Sequence, residues 1–435
     1  MHNRNRKTPW SWIPTLYMAE GLPYFAVNTL TVLMYTNLGV SKTEMAFFTG
    51  WLYLPWVIKP FWSPFVDIFS TKRKWILAMQ MIIAATLGAV AFSLTTSLFF
   101  ALTLIAFWIM AFASATHDIS ADGYYMLALN EKEQAEFVGV RSTFYRIASV
   151  LGQGGLVIMA GFLEKTLDNV PAAWGITFVA LSIFFLLVFF YHLFILPRPA
   201  SDHPMKDVKA SGIMLDFVKT FVTFFEKPYI WYALAFMLLY RLPEALCVKM
   251  IQPFLKDPLS LGGLGLSTSE IGIANGTVGV IALLAGGIAG GIVIARGGLR
   301  KWLMPMAASL ALPCVVYCYL AAVQPESFVL ISALIGIEQF GYGFGFTAFM
   351  MYLMYFSKGD SPTSHYAFCT AFMALGMMLP GMAAGWMYDT LSQMMALQNA
   401  GISGYEAFFL IVMLTTAATF AVTAMIRPRL PQSND

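Results

Sequence analysis

Residues 98–128 read LFFALTLIAFWIMAFASATHDISADGYYMLA. The run is long and apolar enough to cross a bilayer as a helix, since a span needs about 20 mostly apolar residues. It nevertheless carries His117, Asp118 and Asp122. A carboxylate near the bilayer centre costs roughly 2.5 to 3.5 kcal/mol even on a lenient insertion scale, so such acids usually face a bundle interior or a water-filled path. The stretch therefore predicts a helix bundle with a polar interior.

The spacing of the two aspartates suggests a role. Asp118 and Asp122 are four residues apart, so they share one face of the helix. Like charges at this spacing repel, which favours a proton on one carboxyl group or a cationic partner nearby. Either arrangement suits a relay for protons or substrate. The alternative is a buried polar pair that only fixes helix packing.

The composition is that of an integral membrane protein. Of the 435 residues, 59% are hydrophobic and 11% are charged, whereas a globular protein has about 25% charged residues. Twelve segments are long and apolar enough to span a bilayer, and almost nothing remains for a soluble domain. Their limits are 12–37, 44–66, 75–95, 98–128, 138–164, 174–196, 229–255, 268–295, 302–323, 327–357, 365–388 and 405–426.

Other sequence features are less informative. The basic start MHNRNRKTPWSW lacks the cleavage site of a signal peptide. The net charge of +3 is spread over short loops and does not indicate nucleic-acid binding. The four cysteines fall in predicted spans, where we expect them to pack as small apolar residues and to hold no metal. They are Cys247, Cys314, Cys318 and Cys369.

Orientation follows from the distribution of lysine and arginine, which favour cytoplasmic loops. With the N-terminus inside, eighteen of the 26 Lys and Arg residues lie on the cytoplasmic side and three on the other. Both termini are therefore predicted to be cytoplasmic. The longest connection, 198–228, contains an amphipathic stretch and is also cytoplasmic. It divides the chain into six-helix bundles at 1–197 and 229–435.

The two halves show traces of a duplication. SKTE at Ser41 recurs as STSE at Ser267, KW at Lys74 recurs at Lys301, and AGFLEKTL at Ala160 corresponds to AGWMYDTL at Ala384. The offsets lie between 224 and 227 residues. Both halves have the same orientation, so the repeat is parallel, with an axis along the membrane normal. Twelve helices in two parallel six-helix repeats resemble the major facilitator superfamily.

In that superfamily the first, fourth, seventh and tenth spans line a central cavity. The acids deep in the predicted spans of this chain all fall on those four. They are Glu20, Asp118, Asp122, Glu244 and Glu338. Five cations lie in or at the ends of spans, so the formal charge there sums to zero, as expected if most are paired. They are Lys59, Arg141, Arg146, Arg241 and Lys249.

Several strings resemble the AmpG-type muropeptide permeases and their acetyl-CoA transporter relatives, in order along most of the chain. They are EGLP at Glu20, KPFWSPFVD at Lys59, ASATHDISAD at Ala113, YR at Tyr145, YRLPEA at Tyr240, EQFGYGFG at Glu338 and PGMAAGW at Pro380. The resemblance implies proton-driven uptake of a GlcNAc-anhydroMurNAc muropeptide, with functional aspartates at Asp118 and Asp122. A permease for another amino sugar or short oligosaccharide, or for an acetyl-CoA-like anion, stays open.

The leading hypothesis is a proton-coupled secondary transporter. Protonation of Asp118, Asp122 or Glu20 would bias alternating access. Charged groups would bind an anionic or hydroxyl-rich substrate, and tyrosine rings would stack on sugars. The residues assigned to substrate binding are Arg146, Tyr240, Arg241, Glu244, Lys249, Glu338, Tyr24 and Tyr124.

Two further motifs have different interpretations. DIFSTKRK at 67–74 resembles a degenerate form of the superfamily's charged loop and predicts gating by Asp67 and Arg73, together with Lys59. A plain positive-inside anchor explains the basic residues equally well. GGIAGG at 286–291 predicts close helix packing through small residues.

A membrane enzyme using His117 and Asp118 is the rival hypothesis. Adjacent helical residues point about 100 degrees apart, so they cannot easily hold one metal, and we identify no other histidine within the membrane. A channel is a third possibility, disfavoured by titratable central acids. We expect no cofactor and no metal. The expected partners are a small-molecule substrate, protons and the inner-membrane bilayer, and the protein is expected to be a monomer.

Overall fold

The computed structural model describes residues 8–203, 210–359 and 362–430. Within these ranges the side chains at positions 64, 65, 67, 131, 135, 138, 210–217 and 362–363 are not described. The described residues form helices and no strand, which confirms the predicted all-α class.

The α-helices of the first half are α1 (Ile13–Phe25), α2 (Thr31–Asn37), α3 (Lys42–Trp51), α4 (Leu54–Phe69), α5 (Lys72–Ser93), α6 (Phe99–Ala128), α7 (Glu131–Val150), α8 (Leu156–Leu167), α9 (Val170–Ile195) and α10 (Ala210–Phe225). Those of the second half are α11 (Ile230–Leu239), α12 (Leu242–Lys256), α13 (Thr268–Ile271), α14 (Val280–Gly297), α15 (Leu299–Ala311), α16 (Val315–Val323), α17 (Phe328–Ser357), α18 (Pro362–Ser392), α19 (Met395–Asn399) and α20 (Gly404–Ile426). Three π-helical segments join α-helices at Ala26–Leu30, Leu151–Gly155 and Gly272–Gly279. Single 3-10 turns lie at Pro9–Ser11, Leu259–Leu261, Leu312–Cys314 and Arg427–Arg429.

Within the described residues, nine helices are long and apolar enough to cross a membrane, and they overlap nine of the twelve predicted segments. They are Lys72–Ser93, Phe99–Ala128, Lys132–Leu167, Val170–Ile195, Thr268–Gly297, Leu299–Val323, Phe328–Ser357, Ser364–Ser392 and Gly404–Arg429. The other three predicted segments, 12–37, 44–66 and 229–255, are each built from two α-helices.

In two of these three segments, 44–66 and 229–255, a proline lies at the start of the second helix. α3 and α4 are separated at 52–53, and Pro55 is the second residue of α4. α11 and α12 are separated at 240–241, with Pro243 in the first turn of α12. Proline is tolerated in a first turn because its missing N–H would have no intrahelical partner there. Arg241 therefore lies at the start of a helix, in a break within the predicted span.

The repeated motifs occupy matching places in the two halves. Ser41 and Ser267 both cap a helix, each accepting a hydrogen bond from the backbone N–H of the glutamate three residues later. The Lys-Trp pairs lie in the first turns of α5 and α15. The motifs that begin at Ala160 and Ala384 lie at the ends of α8 and α18. The duplication therefore reflects the same local folding signals used twice.

The described residues divide into two compact units. The first unit comprises the chain up to residue 31 together with 58–215, and the second comprises 32–57 and 216–435. In the first, α5 packs against α6 and α9, and α1 packs against α7. In the second, α17 packs against α14 and α15, and α3 packs against α18. The predicted domain boundaries at 197 and 229 stay a prediction.

Small residues allow α14 and α17 to approach each other closely, as predicted for the glycines of α14. A Cβ added to Gly286 would lie 2.1 Å from the carbonyl oxygen of Phe340 on α17. A Cβ added to Gly343 of α17 would lie 2.0 Å from the carbonyl oxygen of Leu283. Any side chain at these positions would push the two helices apart, so the glycines here serve packing.

Candidate functional site

Three carboxyl groups meet inside the first unit. Asp118 and Asp122 project from one face of α6, and Glu20 projects from α1. One oxygen of each of the three lies within 4.8 Å of the other two. Glu20 is buried at 7% exposure, whereas the side chains of Asp118 and Asp122 are partly accessible. We call Glu20, Asp118 and Asp122 the acid cluster.

Two cations neutralise two of these acids. Lys59 of α4 forms an ion pair with Asp118. Arg141 of α7 places Nη2 2.7 Å from Asp122 Oδ1. The Tyr17 hydroxyl donates a second hydrogen bond to the same Asp122 oxygen, at 3.3 Å.

Glu20 differs from the two aspartates. Its Oε2 is buried and has no hydrogen-bond partner among the residues that the structure describes. No ion pair to Glu20 is found among them either, since Lys59 and Arg141 are engaged with the aspartates. The three carboxyl groups of the acid cluster are therefore matched by only two cations.

Aromatic rings fix the position of Arg141. Its guanidinium carbon lies 4.7 Å from the ring centroid of Tyr17 and 5.6 Å from that of Tyr125. Such cation–π contacts are attractive and hold the planar guanidinium against the rings. Arg141 is thus held by Asp122 and by two tyrosines.

A second buried polar network lies beside the acid cluster. The Gln80 amide nitrogen lies 3.0 Å from His117 Nε2 and 2.8 Å from His192 Nδ1. His192 Nε2 lies 2.9 Å from the Thr15 hydroxyl oxygen. Gln80, His117 and His192 are fully buried. This network joins α1, α5, α6 and α9 and gives His117 Nε2 a partner, whereas Nδ1 is buried with no hydrogen-bond partner in the described part of the chain.

The second unit holds a buried ion pair on a single helix. Arg241 donates from Nε and Nη2 to the two carboxylate oxygens of Glu244, at 2.8 and 2.9 Å. Nη2 also donates to the Tyr342 hydroxyl at 2.6 Å, and the Phe346 ring centroid lies 4.7 Å from the guanidinium carbon. The predicted proximity of Arg241 and Glu244 is therefore present. Each of the two side chains therefore has its charge and most of its hydrogen bonds matched by the other.

Lys249 and Glu338 lie buried in the same unit with few partners. Lys249 Nζ donates to the carbonyl oxygen of Thr49 at 3.3 Å. Glu338 Oε2 accepts from the Tyr317 hydroxyl at 3.0 Å and from the Gln339 amide at 2.8 Å. No ion pair to Lys249 or Glu338 is found among the described residues.

The predicted sugar-stacking tyrosines differ in accessibility. Tyr124 is fully buried and donates its hydroxyl to the carbonyl of Pro197 at 2.8 Å. Tyr240 is fully buried, donates to the carbonyl of Gly345 at 3.1 Å and stacks on Phe349. Neither ring presents a free face to a solute in this conformation. Tyr24 is half-buried, and Arg146 is exposed.

The predicted gating residues lie in different settings. Lys59 forms an ion pair with Asp118 of the acid cluster. Arg73 donates from its side chain to the carbonyls of Leu193 and Leu196, at 2.5 and 3.3 Å, and so ties α5 to the end of α9. The side chain of Asp67 lies outside the described residues.

The comparison with protein families decides the identity of the fold. The sequence profile of the Major Facilitator Superfamily matches residues 15–243, more than half of the chain. The chain belongs to this superfamily. It is accordingly a multi-pass membrane transporter and not an enzyme.

Within the superfamily, the chain is similar to muropeptide permeases over most of its length. It is 24% identical to the anhydromuropeptide permease of Escherichia coli K12 over 381 residues, which cover 86% of this chain and 73% of that protein. It is 25% identical to a Rickettsia conorii transporter named AmpG 4, over 78% of this chain and 80% of that one. These similarities agree with the AmpG-type resemblance of the motifs.

Solved transporters of several kinds share the fold of this superfamily member. A bacterial homolog of the lysosomal transporter Spinster, in an inward-facing and unoccupied conformation, superimposes with a TM-score of 0.73 at 14% identity, covering 98% of this chain and 99% of that one. A mutant of the nucleoside transporter NupG gives 0.71 at 15% identity, with 95% and 98% covered. A D-xylose-proton symporter gives 0.70 at 12% identity, with 94% and 96% covered.

The structure of this superfamily member also corrects one expectation. We identified no intramembrane histidine other than His117, but His192 of α9 shares Gln80 with it. His192 lies within a predicted span and was recognisable as an intramembrane polar residue. Tyr17 was also missed, although it lies three residues before Glu20 and so on the same helix face.

Proposed function

We propose that this transporter is a proton-coupled permease of the inner membrane that imports a peptidoglycan-derived muropeptide or a related amino sugar by alternating access. The observation that carries the proton coupling is the unmatched carboxyl group of Glu20. Two ion pairs use both cations of the acid cluster. A buried ionised carboxylate without a partner is strongly unfavourable, so the neutral, protonated form of Glu20 is favoured.

Glu20 then acts as the proton carrier, and the aspartates set its environment. A proton leaves Glu20 when water or a positive charge reaches the acid cluster, and it returns when the cluster is dry again. Asp118 and Asp122 take part because each can release its cation toward Glu20. This division of roles differs from the sequence prediction, which centred the relay on Asp118 and Asp122 and named Glu20 beside them.

The substrate class rests on the relatives. Proteins named as anhydromuropeptide permease or AmpG transporter match most of this chain. An anionic or hydroxyl-rich sugar substrate suits the exposed Arg146 and the half-buried Tyr24, which supply a cation and an aromatic ring within membrane-spanning helices. An acetyl-CoA-like anion is the alternative, since the same cations would bind it.

Uptake into energised membrane vesicles tests the proposal. Labelled anhydro-muropeptide and a panel of neutral sugars are supplied with a proton gradient, with an uncoupler, and with a sodium gradient alone. We expect accumulation of the muropeptide that the uncoupler abolishes. Accumulation driven by sodium would instead assign the acid cluster to a metal cation, for which its three clustered oxygens are close enough. Uptake of neutral sugars alone would overturn the substrate class.

A further inference from the structure

Lys249 is a buried cation in an unusual position. It lies in the middle of α12 and is 5% exposed. Its only hydrogen bond within the described part of the chain goes to the carbonyl oxygen of Thr49, at 3.3 Å. A single long bond to a neutral acceptor does not compensate an ammonium group that has lost its water.

Four acids of the second unit are engaged with other residues. Glu244 pairs with Arg241. Asp257 pairs with Lys42 at 2.7 Å, and Asp389 accepts from the backbone N–H and hydroxyl of Thr43 at 3.2 and 2.5 Å. Glu338 accepts from Tyr317 and Gln339. None of these carboxylates is bound to Lys249.

Arg241 offers an informative contrast on the same segment of chain. Its guanidinium makes two bonds to Glu244 and one to Tyr342, and it lies against the Phe346 ring. A solute anion would have to displace Glu244 to bind it. Lys249 could accept an anion without breaking any ion pair. The two cations are therefore not equivalent for substrate binding, although the sequence suggested that they were.

We propose that Lys249 is the anion selector of this transporter and binds a carboxylate group of the transported solute. This inference rests on the proposed function only in taking the protein to be a solute importer. An intramembrane ionisable residue is a functional candidate by default, and a lysine is a compact charge on a flexible stem that can reach a moving ligand. A carboxylate that reaches Lys249 supplies the counter-charge that the protein lacks there and so stabilises the ammonium form, whereas a neutral solute does not.

Matched pairs of solutes test this selectivity. Each pair consists of an acid and its neutral amide: an anhydro-muropeptide, a sugar acid, and a dipeptide. Binding to the purified full-length protein and uptake into vesicles are both measured. We expect the parent protein to prefer the acid at least about tenfold in one pair or more, as for other charge-assisted hydrogen bonds.

The variants separate charge from structure. Lys249→Met should bring the acid down to the level of its amide and leave the amide unchanged, while Lys249→Arg should keep the preference. Lys301→Met, at an exposed lysine on α15, removes the same charge elsewhere and should change nothing. Melting temperatures of all variants monitor folding.

Each outcome decides either the role of Lys249 as anion selector or the proposed substrate. A preference for acids that survives Lys249→Met, an equal loss of acid and amide in a folded variant, or a parent without preference overturns the anion selector. If Lys249→Met does not fold, loss of the preference in folded Lys249→Arg likewise overturns it. A parent that selects the sugar acid through Lys249 but ignores the muropeptide keeps the selector and refutes the proposed substrate.

Discussion

Arg141 Nη2 lies 2.7 Å from Asp122 Oδ1, and this bond joins α7 to α6 across the interior of the first unit. Because Lys59 is engaged in the same way with Asp118, the third acid of the cluster has no cation. A group of three carboxyl groups and two cations is neutral only when it holds one proton. This stoichiometry is the basis on which we propose that the acid cluster binds the coupling proton.

Glu20→Gln should uncouple the transporter. The amide mimics the protonated acid in shape but cannot release a proton, so uphill accumulation should be lost while downhill exchange persists and no longer depends on pH. Uptake against a concentration gradient measures accumulation, and exchange assays at several external pH values measure downhill exchange and its pH dependence. Glu326→Gln, at an exposed acid, is the matched control. Accumulation by Glu20→Gln with the pH profile of the parent would move the proton site to Asp118, Asp122 or Glu338.

Lys59 and Asp118 should behave as a coupled pair in stability. Asp118→Asn or Lys59→Met alone leaves its partner without a counter-charge and should destabilise the protein by about 1–3 kcal/mol. The double variant should be more stable than the sum of the two losses predicts, because neither charge remains. Thermal unfolding of the four proteins in one detergent gives the coupling energy. Additive losses would show that the contact is not energetically significant.

Gly286 and Gly291 lie five residues apart on α14 and should respond differently to alanine. A Cβ at Gly286 would lie 2.1 Å from a backbone oxygen of α17, whereas nothing lies within 4 Å of a Cβ at Gly291. Gly286→Ala should lower membrane abundance and melting temperature. Gly291→Ala should be neutral or stabilising by up to about 1 kcal/mol, since alanine favours the helix. Equal effects of the two substitutions would contradict the close contact.

Thr43 and Asp389 offer a test of movement. Segment 32–57 packs within the second unit, although it is joined at both ends to helices of the first. Alternating access should require this segment to loosen. A disulfide in Thr43→Cys/Asp389→Cys should therefore stop transport, and a reductant should restore it. Either cysteine alone is the control. Full activity of the cross-linked protein would show that this contact persists throughout the cycle.

Tags should report both termini and residues 201–210 in the cytoplasm. This expectation follows from eighteen Lys and Arg residues on one side against three on the other. Accessibility of each tag in intact cells and in inverted vesicles provides the measurement. A periplasmic tag at any of the three places would contradict the predicted orientation.

The sequence by itself determined much of the architecture. Hydrophobic runs that match the bilayer thickness predicted the membrane helices, and repeated capping and helix-end motifs predicted the duplication. Both predictions depend only on residues that are close together in the sequence. The cost of an acid in hydrocarbon also identified Glu20, Asp118 and Asp122 before any contact was known.

Only the tertiary structure decided how these groups are paired. Charge balance in the sequence could not assign Arg141 to Asp122 and Lys59 to Asp118, or show that Arg241 is satisfied while Lys249 is not. Nor could it bring His192 to Gln80 from 112 residues away in the chain. Such pairings depend on which helices pack together. A salt bridge needs its atoms within a few ångströms of each other, and the spacing of residues in the sequence fixes such distances only within one helix.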